Sequence, residues 1–286
     1  MAGAARAAHF MIDLHSHTTE SDGSLTPQEL IGEAARVKLE ALAVTDHDTF
    51  AGYDTALPHA ARAGLELICG IELATKYRAQ SVHLLAYFLT HLPSPEFREW
   101  IVSLQVERRK RNGELIDKLN AAGMPLTLEE LTARGRKLIA RPHFAALMVA
   151  KGYVRSTEEA FDKYLDEAGC CYVPLEPSEF AEAVGQIRGC GGLAVLPHPN
   201  RIRASAAELE SFVKDMRGMG LAGIEVYHSD HSPAQTAQYL ALARKFELKI
   251  SGGSDFHGTP KPRVALGTGI GGNLNVPYRI LEELRG

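Results

Sequence analysis

Seven short apolar runs alternate with amphipathic stretches along this chain of 286 residues. Most of the runs are rich in Ile, Val and Leu, and each is bounded by Gly, Pro or Asp, which is typical of buried strands. They cover residues 10–14, 39–44, 65–73, 82–89, 193–196, 221–227 and 248–250. Because strands that alternate with helices form βα units, the pattern predicts an α/β fold with a mainly parallel sheet, and the length suffices for one large barrel or two smaller domains.

Helix signals fill the gaps between these runs. Thr26, Pro27 and Glu29 mark one helix start, as the N-cap, the first helical residue and the capping-box residue. This helix is predicted to extend to about residue 38. Further helices are predicted over residues 51–63, 178–188, 204–219, 233–246 and 277–284.

Residues 94–170 interrupt the alternation, because they are predicted to be helical almost throughout. The individual helices are predicted over 94–122, 128–134, 142–151 and 157–165. We therefore predict two parts, a barrel formed by residues 10–93 and 171–286 and a helical insertion domain formed by residues 94–170.

The composition is that of an ordinary globular protein and excludes several classes. A net charge of −4 provides no basic field that would attract nucleic acid to the whole surface. The four cysteines form no CxxC pair and no disulfide pattern, so we expect mostly buried thiols in a reducing compartment. No apolar run approaches the roughly 18 residues that span a bilayer, and residues 1–10, expected to be disordered, lack the apolar core of a secretory signal. We therefore expect a cytoplasmic protein without a membrane partner.

Histidines and acidic residues stand at the ends of these runs. In chain order they are His15, His17, Asp22, His47, Glu72, His83, His198, Asp255 and His257. The carboxyl ends of the strands carry the active site in α/β barrels, so we expect these side chains to converge on one face. His15 and His17 are two apart on an extended segment and therefore point to the same side. Asp255 and His257 repeat this spacing after the last run, which a barrel places beside the first.

Glu72 and His83 require a different connection from the other pairs. The ten residues between them are too few for a crossover helix, which needs about a dozen or more. A hairpin is therefore predicted, with the strands antiparallel and His83 opposite Glu72. In this arrangement His83 reaches the same face although it begins its strand.

This set of six histidines and three carboxylates exceeds the roughly four ligands of one tetrahedral zinc ion. Mixed imidazole and carboxylate ligands suit two or three divalent ions of Mn, Fe or Zn. Burial of such a set without cations would leave polar groups unpaired, at a cost of about 1–3 kcal/mol each. A metal-binding site is therefore predicted, whereas His9, His59 and His91 lie outside the pattern and are expected to be solvated.

The motifs around these residues resemble those of the PHP (polymerase and histidinol phosphatase) family of metal-dependent phosphoesterases. They are HSH at 15–17, SDG at 21–23, TDHD at 45–48, GIE at 70–72, VH at 82–83, LPHP at 196–199 and GSDFH at 253–257. The motifs occur in this order over essentially the whole chain. The resemblance implies a distorted seven-stranded (β/α)7 barrel and a trinuclear metal site.

The resemblance further implies that the nine residues divide among three ions, with one carboxylate bridging the first two. The family varies at the position of Asp22, where some members have His. The first ion would be held by His15, His17, Glu72 and Asp255, the second by Glu72, His83 and His198, and the third by Asp22, His47 and His257.

The helical insertion after the fourth run resembles that of small stand-alone PHP proteins. Those proteins remove the 3′-phosphate from nucleoside 3′,5′-bisphosphates such as pAp, and some relatives trim short RNA from its 5′ end. RPHF at 141–144 and HPNR at 198–201 are similar to stretches of that subgroup. The resemblance implies hydrolysis of a small phosphorylated substrate, a nucleotide or short RNA, with no obligate protein partner.

We expect metal-assisted hydrolysis of a phosphate ester, since clustered divalent ions make hydroxide available near neutral pH and neutralise phosphoryl oxygens. A proton must then reach the leaving oxygen. Asp255, His257 and His231 are the candidates for this transfer, and the sequence does not choose among them.

A second phosphate would require cations away from the metal ions. Arg141 and Arg201 are the candidates, because arginine forks bind phosphate bidentately, and His143 and His231 are expected to assist. The densest basic run, ERRKR at 107–111, is expected to be a solvated helix face, with a nucleic-acid contact as the alternative.

Three other functions stay open at this point. A histidinol-phosphate phosphatase would share the cluster but would need no second phosphate site. A non-catalytic binding module would use its metals structurally, which open metal positions disfavour. A C–N amidohydrolase would use an HxH site of the same kind, and the additional Asp22, His47 and His257 disfavour that function.

Overall fold

The computed structural model of this protein describes residues 11–78, 80–133, 139–174 and 177–286. The extension at 1–10, with His9, and the end of the helix predicted over 128–134 fall outside these ranges. Within them the strands are β1 (Met11–Asp13), β2 (Leu39–Val44), β3 (Glu66–Tyr77), β4 (Gln80–Phe88), β5 (Ser178–Glu179), β6 (Leu193–Leu196), β7 (Gly223–His228), β8 (Lys249–Gly253), β9 (Val264–Ala265), β10 (Gly269–Ile270) and β11 (Val276–Pro277).

The helices lie where the sequence predicts them, to within two residues at every described end, except that the α-helix predicted over 157–165 ends at Ala160. The capping box is present, since the Glu29 carboxylate accepts a hydrogen bond from Thr26 N at 2.8 Å. A π-helical segment, Phe161–Leu165, continues the sixth helix. The helices are α1 (Pro27–Arg36), α2 (Ala51–Ala63), α3 (Pro95–Ala121), α4 (Leu128–Thr132), α5 (Arg141–Ala150), α6 (Thr157–Ala160), α7 (Phe180–Gly189), α8 (Ala206–Met219), α9 (Pro233–Lys245) and α10 (Arg279–Arg285).

Seven strands, one at each apolar run, form a nearly closed barrel in the order β1-β2-β3-β4-β6-β7-β8. β4 is antiparallel to both of its neighbours, and the other adjacent strands pair in parallel. The first and last strands meet through hydrogen bonds from Leu14 N to Gly252 O (3.1 Å) and from Asp255 N to His15 O (2.9 Å). The predicted seven-stranded α/β barrel is confirmed.

Side chains of the strands alternate between the barrel interior and the surrounding helices, which explains why the runs are apolar without interruption. On β2, Leu42 and Val44 pack in an outer cluster with helices such as α1, α2 and α7, whereas Ala41 and Ala43 pack in an inner cluster. β11 pairs with the start of β1, and α10 adds its apolar face to the inner cluster. This helix therefore closes the amino ends of the strands and leaves the carboxyl ends for the site.

The long helix α3 connects the barrel to the helices that follow it. Phe97 and Ile101, near its start, pack in the outer barrel cluster, whereas Leu115 and Leu119 belong to a separate cluster with α4, α5 and α6. The boundaries proposed for an insertion domain remain a prediction. Among the described residues, no helix has both the length and the apolar composition to cross a membrane.

Candidate metal centre

All nine side chains predicted as metal ligands lie together on the face of the barrel where the parallel strands have their carboxyl ends. Their potential ligand atoms fall into groups within 4.8 Å, namely His17, Asp22, His47 and His257; His15, His17 and Asp255; His15, Glu72 and His198; and His47, Glu72 and His83. Each group shares a residue with another, so the nine residues form one connected cluster. Their role as metal ligands remains a prediction.

Glu72, at the centre of the cluster, is 1 % exposed. It lies inside β3, on the face turned to the interior, where the parallel strand β2 and the antiparallel strand β4 flank it. Its two carboxylate oxygens are 2.8–3.4 Å from ring nitrogens of five histidines, which are His15, His17, His47, His83 and His198. A single carboxylate among five imidazoles is arranged to bridge more than one cation.

β3 and β4 form the predicted antiparallel hairpin, and their register corrects one detail. His83 is opposite Ala74, and Glu72 is opposite Leu85. Glu72 and His83 are therefore diagonal neighbours on one face, a separation that long side chains can span. The Nδ1 of His83 lies 2.8 Å from Oε1 of Glu72, so the two side chains meet although their backbones are not directly opposite.

Asp22 lies on the loop after β1, beside three imidazoles. Its carboxylate oxygens are 3.2 Å from His257 Nε2, 3.6 Å from His17 Nδ1 and 3.7 Å from His47 Nε2. Asp46, just after β2, accepts three hydrogen bonds from this loop. Because Asp46 is completely buried, it holds the loop, and with it Asp22, against the barrel.

Asp255 divides its carboxylate oxygens between the cluster and two cationic side chains. Oδ1 is 3.4–3.6 Å from the ring nitrogens of three cluster histidines. Oδ2 accepts hydrogen bonds from Arg201 at 2.7 Å and from Lys261 at 2.5 Å. Arg201 also donates to Asp230 at 3.0 Å. Arg201, predicted as a phosphate clamp, is thus engaged with two carboxylates and positions Asp255.

Glu225 and His228 on β7 also contact the cluster, although neither is among the predicted ligands. Glu225 Oε1 is 3.0 Å from His15 Nδ1, and Oε2 accepts a hydrogen bond from His198 N at 2.8 Å. His228 Nδ1 accepts a backbone hydrogen bond, so in the neutral ring Nε2 carries the proton, and this atom is 3.4 Å from Asp255 Oδ2. The sequence does carry a signal for both, since Glu225 is an acid within an apolar run and His228 follows that run.

Burial and mutual contact determine the charges in the cluster. Burial opposes the ionisation of Glu72, but the imidazoles of His47 and His83 hold the pKa of this carboxyl well below its usual range. Burial lowers the pKa of His47 to about 4 and that of His198 to about 3. At neutral pH the carboxylate is therefore ionised, and these two rings are neutral with a lone pair available for a ligand bond.

The donor atoms of the cluster fit divalent metal ions. Both ring nitrogens of His17 are buried and form no hydrogen bond within the described ranges. Because buried polar atoms are nearly always paired, such nitrogens beside carboxylates indicate that cations complete the site. Mixed imidazole and oxygen donors are a set suited to Zn, Mn and Fe.

His231, a candidate for proton transfer and for substrate binding, lies beside His228 with its ring centroid 4.9 Å away. Its Nδ1 is 2.9 Å from Val226 O, and its Nε2 is 3.1 Å from Asn200 Oδ1. Both ring nitrogens therefore already have protein partners, and neither of the roles proposed for His231 has support from this geometry.

The other predicted substrate-binding residues lie at the start of α5. Arg141 donates to Leu165 O at 3.2 Å and to Asp166 Oδ1 at 3.3 Å. His143 Nδ1 accepts a hydrogen bond from Ala140 N at 3.0 Å and so caps the helix. Their roles in substrate binding remain predictions.

The prediction that residues 107–111 form a solvated helix face is wrong for two of the residues. Arg109 and Lys110 are exposed, but Arg108 and Arg111 are buried. Arg108 forms an ion pair with Asp48, the residue after His47 of the cluster. The long helix therefore buries two of these arginines, and one of them, Arg108, faces the barrel.

Comparison with known proteins assigns the chain to a family. The sequence profile of the PHP domain family matches residues 13–171, more than half of the chain. The chain belongs to the PHP family. The matched segment ends before His198, Asp255 and His257, and the barrel brings these three residues to the histidines within the segment.

Two PHP relatives with named activities align with most of this chain. It is 38% identical to the 5′-3′ exoribonuclease Rnm of Escherichia coli (strain K12) over 262 residues, 89% of this chain and 87% of that protein. It is 33% identical to the 3′,5′-nucleoside bisphosphate phosphatase of Chromobacterium violaceum over 248 residues, 86% of this chain and 87% of that protein.

A solved structure supports the same family assignment. The protein from Bifidobacterium adolescentis, assigned as a metal-dependent phosphoesterase, has a TM-score of 0.80 and 32% identity, covering 96% of this chain and 95% of that one. With the family profile and the named relatives, this makes the present PHP protein a metal-dependent phosphoesterase, an enzyme that hydrolyses phosphoric ester bonds.

Proposed function

We propose that this enzyme hydrolyses the 3′-phosphate of nucleoside 3′,5′-bisphosphates such as pAp, and that it releases 5′-nucleotides from the 5′ end of short RNA. The observation that carries the proposal is the cluster around Glu72, in a chain that aligns over 86% of its length with a nucleoside bisphosphate phosphatase. Two or three divalent ions of Mn, Fe or Zn are the proposed cofactors.

The same bond is broken in both proposed substrates. In a nucleoside 3′,5′-bisphosphate, the phosphorus to be attacked is bonded to O3′ of a nucleotide that carries a 5′-phosphate. The first linkage of 5′-phosphorylated RNA has the same arrangement, with the next nucleotide attached to that phosphorus. Addition of water to phosphorus, with transfer of a proton to O3′, releases a 5′-nucleotide in each case. In RNA it also leaves a new 5′-phosphate for the next round.

The cluster would hold the ions through the groups that the geometry brings together. When bound, divalent ions lower the pKa of their water from 15.7 towards about 7 and neutralise the phosphoryl oxygens. Glu72, in contact with five imidazoles, is the proposed bridging ligand. His15, His17 and Asp255 lie on one side of it, and Asp22 with His257 on another.

Residues that are not themselves proposed ligands hold the ligand side chains in place through hydrogen bonds. Arg201 and Lys261 donate to Oδ2 of Asp255 and leave Oδ1 directed at the cluster. Burial opposes the ionisation of Asp255, but His15 and Lys261 hold the pKa of this carboxyl well below its usual range. Asp255 is thus a poor proton donor at neutral pH, which favours its role as ligand over its proposed role in proton transfer.

His257 is the proposed group that moves the proton at O3′, in place of Asp255 or His231. Its Nδ1 lies 2.8 Å from the backbone oxygen of Asp255, and a hydrogen bond there leaves Nε2 directed at the cluster, 3.2 Å from Asp22 Oδ1. The same Nε2 is the atom that would hold an ion, so His257 could serve either as a ligand or in proton transfer, and not as both at once.

The test of the proposed function is product analysis with the Mn-reconstituted protein. We expect AMP and phosphate from pAp, 5′-nucleotides from 5′-phosphorylated oligoribonucleotides, and no release from histidinol phosphate. His17→Ala should abolish this turnover, whereas His59→Ala, on α2 outside the cluster, should leave it intact. Release from histidinol phosphate alone would replace the proposed substrate. Release from none of the three would contradict the proposal.

A further inference from the structure

The two adjacent cysteines, Cys170 and Cys171, contact each other through their side chains. Their Sγ atoms lie 3.8 Å apart. The two residues occupy the central positions of a tight turn after the π-helical segment, since Tyr172 N donates to Gly169 O at 3.1 Å. Neither thiol takes part in the metal centre or in the proposed function. We refer to Cys170 and Cys171 as the vicinal thiol pair.

The two sulfurs of the vicinal thiol pair differ in their access to solvent. Cys170 is exposed, whereas Cys171 is 2 % exposed. Cys171 packs in the apolar cluster that α3 forms with α4, α5 and α6, and its Sγ lies 3.7 Å from Lys118 O. A reagent in solution therefore reaches the sulfur of Cys170 first, with the sulfur of Cys171 behind it.

The environment of Cys171 makes it a poor nucleophile towards solvent reagents. Burial, and then the contact with Cys170, raise the pKa of the Cys171 thiol to about 11. Because the thiolate is the reactive form of cysteine, Cys171 is expected to react only with a sulfur that is held against it. Cys170 is exposed and in contact with Cys171, so a group attached to Cys170 would be placed within its reach.

A bond between the two sulfurs would be easy to form and easy to break. The Sγ atoms, 3.8 Å apart, need to approach by roughly 2 Å to reach the length of a disulfide bond. Adjacent Cα atoms, however, are only about 3.8 Å apart across a trans peptide, closer than the roughly 4.4–6.8 Å of ordinary disulfides. A disulfide between neighbouring residues is therefore strained and readily reduced, which makes its formation reversible.

The turn that carries the vicinal thiol pair touches two helices of the segment outside the barrel. Tyr172 O accepts a hydrogen bond from Lys118 Nζ of α3 at 2.6 Å. The ring of Tyr172 lies 5.9 Å from the guanidinium carbon of Arg141, the first residue of α5. Cys171 N donates to Tyr164 O at 3.2 Å. A covalent change at the pair would therefore act on the contacts of this turn with both helices.

We propose that Cys170 and Cys171 form a reversible thiol–disulfide pair, a modification site for low-molecular-weight disulfides such as oxidised glutathione. The Cys170 thiolate attacks one sulfur of the reagent, whose S–S bond breaks with release of a first thiolate. The Cys171 thiol then loses its proton to solvent, and its sulfur attacks Cys170 Sγ. The second reagent thiolate leaves as the bond between the two cysteines forms. Two protein thiols are thereby oxidised, and one reagent disulfide is reduced to two thiols.

The test exposes the reduced, Mn-reconstituted protein to oxidised glutathione. The remaining thiols are then alkylated with N-ethylmaleimide in denaturant and identified by intact mass and peptide mapping. We expect the parent protein to lose two alkylatable thiols, those of Cys170 and Cys171, to retain no glutathione, and to regain both thiols with dithiothreitol. Cys69, which is buried in the barrel, should stay reduced and so verify that the protein reacts in its folded state.

Single variants separate the two chemical steps. Cys171→Ser should retain glutathione on Cys170, because no second thiol displaces it. Cys170→Ser should leave Cys171 reduced, because the buried thiol does not reach the reagent. Cys190→Ser removes a half-buried thiol outside the pair and should react like the parent protein. A thermal scan checks that each variant is folded, and Cys171→Ala replaces Cys171→Ser if the buried hydroxyl prevents folding.

Three results would overturn the inference. Glutathione that persists on Cys170 of the parent protein would show that Cys171 does not displace it. Failure of Cys170 to react would show that the exposed thiol is not a modification site. Disulfide-linked dimers through Cys170 would show that it pairs with a second chain and not with its neighbour. The assay uses no phosphate ester, so each of these results leaves the proposed function unaffected.

Discussion

Glu225 illustrates how a buried carboxylate outside the ligand set organises a metal centre. It is completely buried, and its two oxygens contact His15 Nδ1 and His198 N. The contact with Nδ1 fixes the tautomer of His15 and directs Nε2 towards Glu72 and Asp255. Burial opposes the ionisation of Glu225, but His15 and His228 lower the pKa of its carboxyl to about 2. Glu225 is therefore an ionised acceptor at neutral pH.

Glu225→Gln should weaken metal binding while leaving the barrel folded. A glutamine keeps the size of the side chain but loses the charge that orients His15, and loss of such a partner typically costs 10- to 100-fold in metal affinity. The measurement is metal content per chain by mass spectrometry across a series of free Mn concentrations. Glu114→Gln, on the exposed face of α3, is the matched control and should bind like the parent protein. Unchanged affinity in Glu225→Gln would contradict the positioning role.

Single residues also mark the limits of prediction from sequence. The nine candidate ligands could be identified because their type and spacing recur at the ends of apolar runs. The burial of Arg111 could not be predicted, since ERRKR reads as an exposed basic segment and only the packing of α3 against its neighbours decides which of its arginines face inwards. The hydrogen bond from Arg201 to Asp255 could not be predicted for a related reason, because the two residues are 54 positions apart in the chain.

At the level of secondary structure elements, closure of the barrel depends on the close approach of β8 to the segment after β1. Gly253, the last residue of β8, lies so close to His15 that a Cβ atom placed on it would be 2.3 Å from His15 N. Only a residue without a side chain permits this contact between backbones. The same contact brings Asp255 to His15, so the closure of the barrel and the assembly of the site depend on one glycine.

Gly253→Ala should destabilise the protein by at least about 2 kcal/mol, because the clash is with backbone that cannot move without opening the barrel. The free energy of unfolding in denaturant would measure this, together with the metal content of the variant. Gly113→Ala is the control, since Gly113 is an exposed residue of α3 whose added Cβ meets nothing within 4 Å. The control should be neutral or stabilised by up to about 1 kcal/mol. Equal stability of both variants would contradict the role given to Gly253.

For the molecule as a whole, the metal centre joins segments that are remote in the chain. Its candidate ligands extend from His15 to His257, and they come from the loops after β1, β2, β6 and β8 and from the β3–β4 hairpin. Cations bound among them would act as cross-links between the two halves of the chain. Ligands that bind the folded protein and not the unfolded chain stabilise it in proportion to their affinity.

Removal of metal ions should therefore lower the melting temperature of the whole protein. A stabilisation of about 4 kcal/mol, expected when the free metal is about 1,000 times its Kd, corresponds to a decrease of roughly 8–16 °C for a chain of this size. The measurement is a thermal scan before and after EDTA treatment, with Mn added back to restore the transition. EDTA already saturated with calcium serves as the control. An unchanged transition in protein verified as metal-free would contradict the cross-linking role.

The sequence by itself determined the seven barrel strands, the helices and the residue types of the metal centre, and its resemblance to the PHP family implied the barrel. These features are encoded locally, in apolar periodicity, capping residues and the repetition of His and acidic residues at strand ends. The tertiary structure alone decided the register of the β3–β4 hairpin, the contact of Glu225 with His15, the engagement of Arg201 and the burial of Arg111. Each of these depends on which distant surfaces pack together and exclude water, and no local pattern in the chain specifies that.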